Sequence, residues 1–138
     1  MMKKILLSLF FMALINGFIS AQDLKLTKDK VVIDNKEVFK YEKQSFVEYS
    51  LFDLKNDEVL NLQFKDNGTA YESDDYMVFN FVGIGVKFSS TNFEKIAGLG
   101  SKSMMKNLIQ WLLKEKVFSN DGNLDKDKLE IFINKYEM

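Results

Sequence analysis

The sequence predicts an α+β fold: an antiparallel β-meander of about five or six strands, followed by two or three C-terminal helices packed on one face. Three observations carry this. Apolar residues recur with a period of two from Leu24 to about Phe88. After Thr91-Asn92-Phe93-Glu94 the apolar spacing becomes that of a helix. Asp, Asn and Gly punctuate the first part at positions that suit hairpin turns.

Residues ahead of the first strand have a different character. Met1-Met2-Lys3-Lys4 is a short positive segment, an apolar run follows from Ile5 to about Ile15, and Asn16-Gly17 loosens the chain before "FISA" ends at Ala21. This is the three-part pattern of a secretory signal peptide over residues 1–21, with cleavage between Ala21 and Gln22. The apolar stretch is shorter than the ~20 residues a membrane-spanning helix needs. No Cys stands near the cleavage point, so bacterial lipid attachment is excluded. The mature chain, residues 22–138, is expected to be one domain, with a β-sheet part at 22–89 and a helical part at 91–138. The reading places the protein outside the cytoplasm, periplasmic or secreted, with no transmembrane segment after signal cleavage.

"LKLT" alternates and opens the sheet. "VVIDNKEVFKYE" reads as a hairpin around Asp34-Asn35, because Asp and Asn tolerate the left-handed backbone of tight turns. "FVEYSLFDLKNDEVLNLQFK" is a second hairpin. Val47, Tyr49 and Leu51 share one face of it, as do Leu60, Leu62 and Phe64 after the turn at Lys55-Asn56-Asp57. That pattern suits an antiparallel sheet with one wet side. In "YMVFNFVGIGVKFSS" both faces are apolar, and Gly83 and Gly85 mark a bulge, a bend or a tight turn. Thr91 and Glu94 match a capping box for a short helix to Ala97. Ser101 is positioned to cap a longer helix running to about Lys116, with Met105, Leu108, Ile109 and Leu112 as its apolar stripe, widened by Met104 and Trp111. The last helix starts near Asp125 and presents Leu129, Phe132, Ile133 and Tyr136.

Composition excludes several chemistries. The chain has no Cys, His, Arg or Pro. Without His or Cys there is no Ser-His-Asp or Cys-His catalysis, and nearly all zinc and copper sites are lost. Without Arg there is no bidentate fork for phosphate or guanine. Removing Lys3 and Lys4 leaves 17 Lys against 20 acids, a charge of −3, spread along the chain. A nucleic-acid partner is not expected. No metal and no cofactor is expected either.

Several stretches invite a functional reading. "SNDGNLDKDKLE", Ser119 to Glu130, resembles a calcium loop in composition. With Gly122 at its sixth position, however, the first ligand would be Val117 and the twelfth Lys128. It reads instead as a turn and an acidic helix start, with Asp125 as N-cap and Asp127 in the first turn, where the helix dipole favours negative charge. "GLGSKS", Gly98 to Ser103, lacks both phosphate-loop and dinucleotide spacing and reads as a helix break. Asn67-Gly68-Thr69 matches a glycosylation acceptor but reads as a plain turn. Glu72, Asp74 and Asp75 form the densest acidic cluster, able to share a proton or hold a cation. Of the aromatics, Phe39, Tyr41, Tyr49, Phe64, Phe79, Phe81 and Phe88 fall on apolar strand faces and are assigned to the core. Phe46, Phe52 and Tyr76 fall on the opposite faces, where they could line a groove for an apolar ligand or a partner.

The signal ending "ISAQ" and the C-terminal "DGNLDKDKLEIFINKYEM" resemble small uncharacterised exported proteins of Bacteroidetes-type bacteria. The resemblance covers the two ends and the general layout. It implies export and a β-rich body with a C-terminal helical segment. It implies no activity and carries over no catalytic residue. The function expected is therefore that of a small exported non-enzymatic domain binding an envelope protein or an apolar small molecule. The alternatives are a hydrolase using only carboxylates around Glu72, Asp74 and Asp75, or a structural or assembly subunit of the envelope.

Overall fold

The computed structural model of the chain describes residues 23–66, 68, 70 and 75–138. The expected signal peptide, Asn67, Thr69, Glu72 and Asp74 lie outside the described residues. Seven strands form one antiparallel sheet in sequence order: β1 (Leu24–Thr27), β2 (Lys30–Ile33), β3 (Lys36–Ser45), β4 (Glu48–Phe52), β5 (Glu58–Lys65), β6 (Tyr76–Phe81) and β7 (Val86–Ser90). Two helices follow, α1 (Ser101–Lys114) and α2 (Lys126–Tyr136). The class is α+β, as the periodicity predicts. No helix among the described residues is long and apolar enough to cross a membrane.

The strand count exceeds the expected five or six because "YMVFNFVGIGVKFSS" is two strands. A 3-10 turn at Val82–Ile84 breaks it, and Gly85 closes the turn with φ +66°. Phe79 then pairs with Phe88 across the hairpin. The two-residue turn at Asp34-Asn35 has positive φ at both positions, 51° and 66°, as a type I′ hairpin requires. In the next hairpin Asp53 accepts at Oδ1 from the backbone N–H of Lys55 (2.8 Å) and Asp57 (3.0 Å), and Asn56 takes the left-handed position at φ +67°.

Period-two burial holds along the sheet. Tyr49, Leu51, Leu60, Leu62, Met77, Phe79, Phe81 and Phe88 are all buried on the face that meets the helices. Val47 does not join them. It sits in the β3–β4 turn and is half exposed, because β4 begins one residue later. On the other face Ser50 and Asn61 are buried polar groups that satisfy each other: Asn61 Nδ2 donates to Ser50 Oγ (3.2 Å) and to Glu48 Oε2 (2.9 Å).

The helix layer is fixed by aromatic contacts. Phe79 meets Trp111 of α1 at 5.9 Å and Phe132 of α2 at 6.1 Å, both edge to face, and Phe39 meets Phe118 at 5.1 Å. Met105, Leu108, Ile109 and Leu112 are buried as a stripe, with Trp111 beside them. The third expected helix is only a 3-10 turn, Phe93–Lys95, and Thr91 does not cap it. Ser90 Oγ accepts from the Asn92 N–H (3.2 Å) and donates to Asn92 Oδ1 (3.0 Å), so Asn92 takes the cap position. Ser101 is likewise not a cap. Gly100 holds that position at φ +98°, and the Ser101 hydroxyl is engaged elsewhere. At its far end α1 closes in a Schellman motif: Val117 N–H donates to Leu112 O (2.9 Å), and Lys116 N–H, at φ +62°, donates to Leu113 O (3.0 Å).

Asp125 caps α2 as the sequence predicts. Its Oδ1 accepts from the backbone N–H of Asp127 (3.0 Å) and Lys128 (3.1 Å). Asp125→Ala removes both bonds and is expected to destabilise the fold by about 1 kcal/mol, while Asp125→Asn keeps most of the effect. Urea unfolding of the two variants checks this. Equal midpoints for Ala and wild type would remove the cap from the account.

Candidate functional site

An apolar groove opens at one end of the sheet, where the β3–β4 turn faces the segment leading into α1. The groove measures about 440 Å³. Phe46 lines it from the turn, Lys43, Tyr49 and Phe64 from the strand ends, and Phe93, Ile96, Ala97, Gly98, Gly100, Ser101 and Met104 from the other side. Phe64 stacks on Phe93 at 6.2 Å, and Tyr49 meets Phe64 edge to face at 6.1 Å. These contacts tie the strand ends to the 3-10 turn, so one wall is a continuous aromatic surface.

Phe46 is the unusual member. The residue is 88% exposed, and the Lys43 ammonium stands 4.6 Å from its ring centroid. Leu99, standing between the two lining glycines, is 98% exposed. Exposed large apolar groups beside an apolar groove are the surface feature that calls for a partner. The opposite wall is held tightly. A Cβ added at Gly98 would come within 2.9 Å of Ser103 Cβ, so the chain passes close against α1 there. Asn107 Nδ2 donates to Ala97 O at 2.7 Å and pins the same segment.

The groove has little charge. Among the described residues Lys43 is its one charged lining residue, and no carboxylate lines it. At the wall, Tyr49 Oη and Ser101 Oγ form a part-buried hydroxyl pair 3.0 Å apart. Beside the groove, the Asn92 side-chain hydrogen bond (3.1 Å) holds the Glu94 carboxyl below its ordinary range. Away from it in β3, burial, aided by the Asp29 charge, raises the Tyr41 phenol.

The three aromatics singled out from the sequence do not converge. Phe46 lies in the groove. Phe52 and Tyr76, both half buried, alternate with the buried Leu51 and Met77 and so face away from the helices. Phe52 pairs with Glu58 and Tyr76 with Lys65, seven residues apart along β5, so about 23 Å separates their rows. Of the acidic cluster, Asp75 is half buried just ahead of β6. Among the described residues no three carboxylates are grouped to hold a metal ion. Sequence reasoning missed Phe93, Ile96 and Met104 as groove residues, and Leu99 as the exposed apolar group beside them. The signal that could have found them is Leu99 itself, a large apolar residue isolated between two glycines in a segment otherwise polar enough for a loop.

A second cavity of about 440 Å³ opens at the opposite end of the sheet, walled by Val38, Val59, Phe81, Phe118 and Leu124 with Asp53 and Asp121 at its margin. It lacks a fully exposed aromatic. Comparison with protein-family models, curated proteins and solved structures finds no match to the chain.

Proposed function

We propose that this chain is a small exported, non-enzymatic binding module, periplasmic or secreted, and that the Phe46 groove takes an apolar small molecule with one polar end. The observation that supports this reading is the pairing of an exposed Phe46 with a wall of Tyr49, Phe64, Phe93, Ile96 and Met104 that contains no carboxylate among the described residues. Apolar walls supply the affinity, since burying apolar surface yields about 25 cal/mol per Å². The hydroxyl pair Tyr49–Ser101 supplies an orienting contact for an oxygen-bearing end of the ligand.

Titration with N-phenyl-1-naphthylamine, a neutral apolar fluorophore, tests the reading. Wild type is expected to bind it saturably. Phe46→Asp is expected to weaken binding by about tenfold or more, equivalent to 1.4 kcal/mol. The same change should leave the melting temperature nearly unmoved, because the ring is almost wholly exposed. Leu54→Asp, at the opposite cavity, should change nothing. Equal binding by wild type and Phe46→Asp, or no saturable binding by wild type, would overturn the assignment. Native mass spectrometry of the protein taken gently from its host's envelope then identifies the resident ligand. A co-purifying protein in its place would point to the partner-binding alternative.

A further inference from the structure

We propose that a second site, independent of the Phe46 groove, lies in the cleft between the 3-10 turn Phe93–Lys95, α1 and the end of α2, and that it binds a small oxyanion, carboxylate or phosphate, carried on a ring. The cleft has a volume of about 440 Å³. Its construction follows from helical spacing. Asn107, Gln110, Trp111 and Lys114 stand at i, i+3, i+4 and i+7 of α1 and form one stripe beside the buried one. The last turn of α2 adds Lys135 and Tyr136, and the 3-10 turn adds Lys95.

Charge identifies the ligand's sign. Three lysines and one acid, Glu115, line the cleft. Glu115 is already taken. It pairs with Lys135 Nζ at 3.0 Å and accepts from Tyr136 Oη at 3.3 Å, and this contact raises the Lys135 ammonium above its ordinary range. Lys95 and Lys114 are left without an ion pair among the described residues. Two ammonium groups outside any ion pair line one cleft, with Glu94 acting on Lys95 only at longer range, and together they favour an anion there.

Shape and polarity identify the rest of the ligand. Trp111 and Tyr136 meet edge to face at 4.8 Å, and the Lys95 ammonium stands 5.8 Å from the Tyr136 centroid, so the cleft has an aromatic wall beside its cations. A flat ring stacks on such a wall while its anionic substituent reaches the lysines. The Trp111 indole N–H adds an independent indication. Among the described residues it is the buried side-chain polar atom without a hydrogen-bond partner, although Trp111 is only 6% exposed. The nitrogen itself is out of solvent contact, so it marks an unmet hydrogen bond in the residue that backs the cleft.

Trp111 is the single tryptophan of the chain and lines this cleft, so its emission responds to a ligand bound there. The purified protein is titrated with phenyl phosphate, benzoate, inorganic phosphate and phenol, with calorimetry in parallel. Saturable quenching or shift is expected with phenyl phosphate or benzoate, and the tighter of the two identifies the anion. Inorganic phosphate should bind more weakly and phenol not at all. Lys95→Gln combined with Lys114→Gln should weaken binding by about tenfold or more, with folding verified by circular dichroism, and added salt should weaken it further. Phe46→Asp should leave it unchanged, which separates this site from the groove. The proposal is overturned if neither ring anion gives a saturable response by either method, if phenol binds as well as its anionic counterparts, or if the double lysine variant binds like wild type.

Discussion

Phe79→Ala is expected to cost about 3–5 kcal/mol of folding stability. Phe79 is fully buried and joins all three parts of the core. Its ring stacks on Phe88 at 5.0 Å and 5°, which binds the last two strands together. It meets Trp111 and Phe132 edge to face, which seats both helices on the sheet. Removing it leaves a cavity walled by rings that cannot collapse without losing their contacts with one another, because Trp111 and Phe132 are themselves packed at 4.8 Å. A domain of this size has about 5–15 kcal/mol in total, so one substitution removes a large share. Urea unfolding followed through Trp111 emission measures it. A loss under about 1 kcal/mol would mean that the helix layer is not held by this cluster.

The same alternation that makes Phe79 a core residue is what made most of the fold legible. Tyr49, Leu51, Leu60, Leu62, Met77, Phe79 and Phe81 could be assigned to one face from spacing alone, and they are buried on one face. Asp34-Asn35 and Asp125 were legible because short polar side chains have few other uses at those positions. The β6–β7 turn was legible in part: Gly83 and Gly85 mark a bulge, a bend or a tight turn there, but Val82 and Ile84 continue the apolar run, so spacing does not fix a full reversal into another strand. Ser101 and Thr91 show the limit of cap signatures. Each is displaced by a partner the local sequence does not determine, Tyr49 for one and the Ser90–Asn92 pair for the other.

Phe46 shows the limit of parity. Phe46 stands in the turn between Ser45 and Glu48, outside both strands, so strand alternation assigns it no face. The turn instead carries the ring to the groove lined by Phe64 and Phe93. The rest of that groove comes from positions as far apart as 43 and 104, brought together only when the helix layer docks. A site assembled at long range from ordinary apolar residues leaves no contiguous motif in the sequence.

Gly122→Ala is expected to destabilise the protein by about 2–5 kcal/mol, from two separable causes. The first is backbone. Gly122 has φ +85°, a left-handed conformation that costs an L-residue roughly 1–2 kcal/mol. The second is steric. A Cβ at this position would lie 2.7 Å from Val38 Cγ1 and 3.2 Å from Phe39 Cζ, and overpacking of that kind costs about 1–3 kcal/mol. The turn cannot move aside easily. Gly122 N–H donates to Ser119 O (2.9 Å), Ser119 N–H donates to Asn123 O (2.9 Å), and Phe118 bridges to Leu124 behind them.

Two other glycines isolate the causes. Gly85 shares the positive φ, +66°, with open space around it, so Gly85→Ala should show the backbone effect alone, and Gly85→Asn less still. Gly83 has neither constraint, and Gly83→Ala should be close to neutral. The expected order of unfolding midpoints is therefore Gly83→Ala, then Gly85→Ala, then Gly122→Ala as the least stable. Gly122→Asn distinguishes the two terms directly. Asn tolerates the left-handed region but still brings a Cβ against Val38, so it should remain strongly destabilising at 122 while being nearly harmless at 85. If Asn rescues position 122, backbone strain is the whole effect. If it does not, the acidic stretch from Ser119 to Glu130 has its glycine because the turn is pressed against β3, with no bound cation needed to account for it.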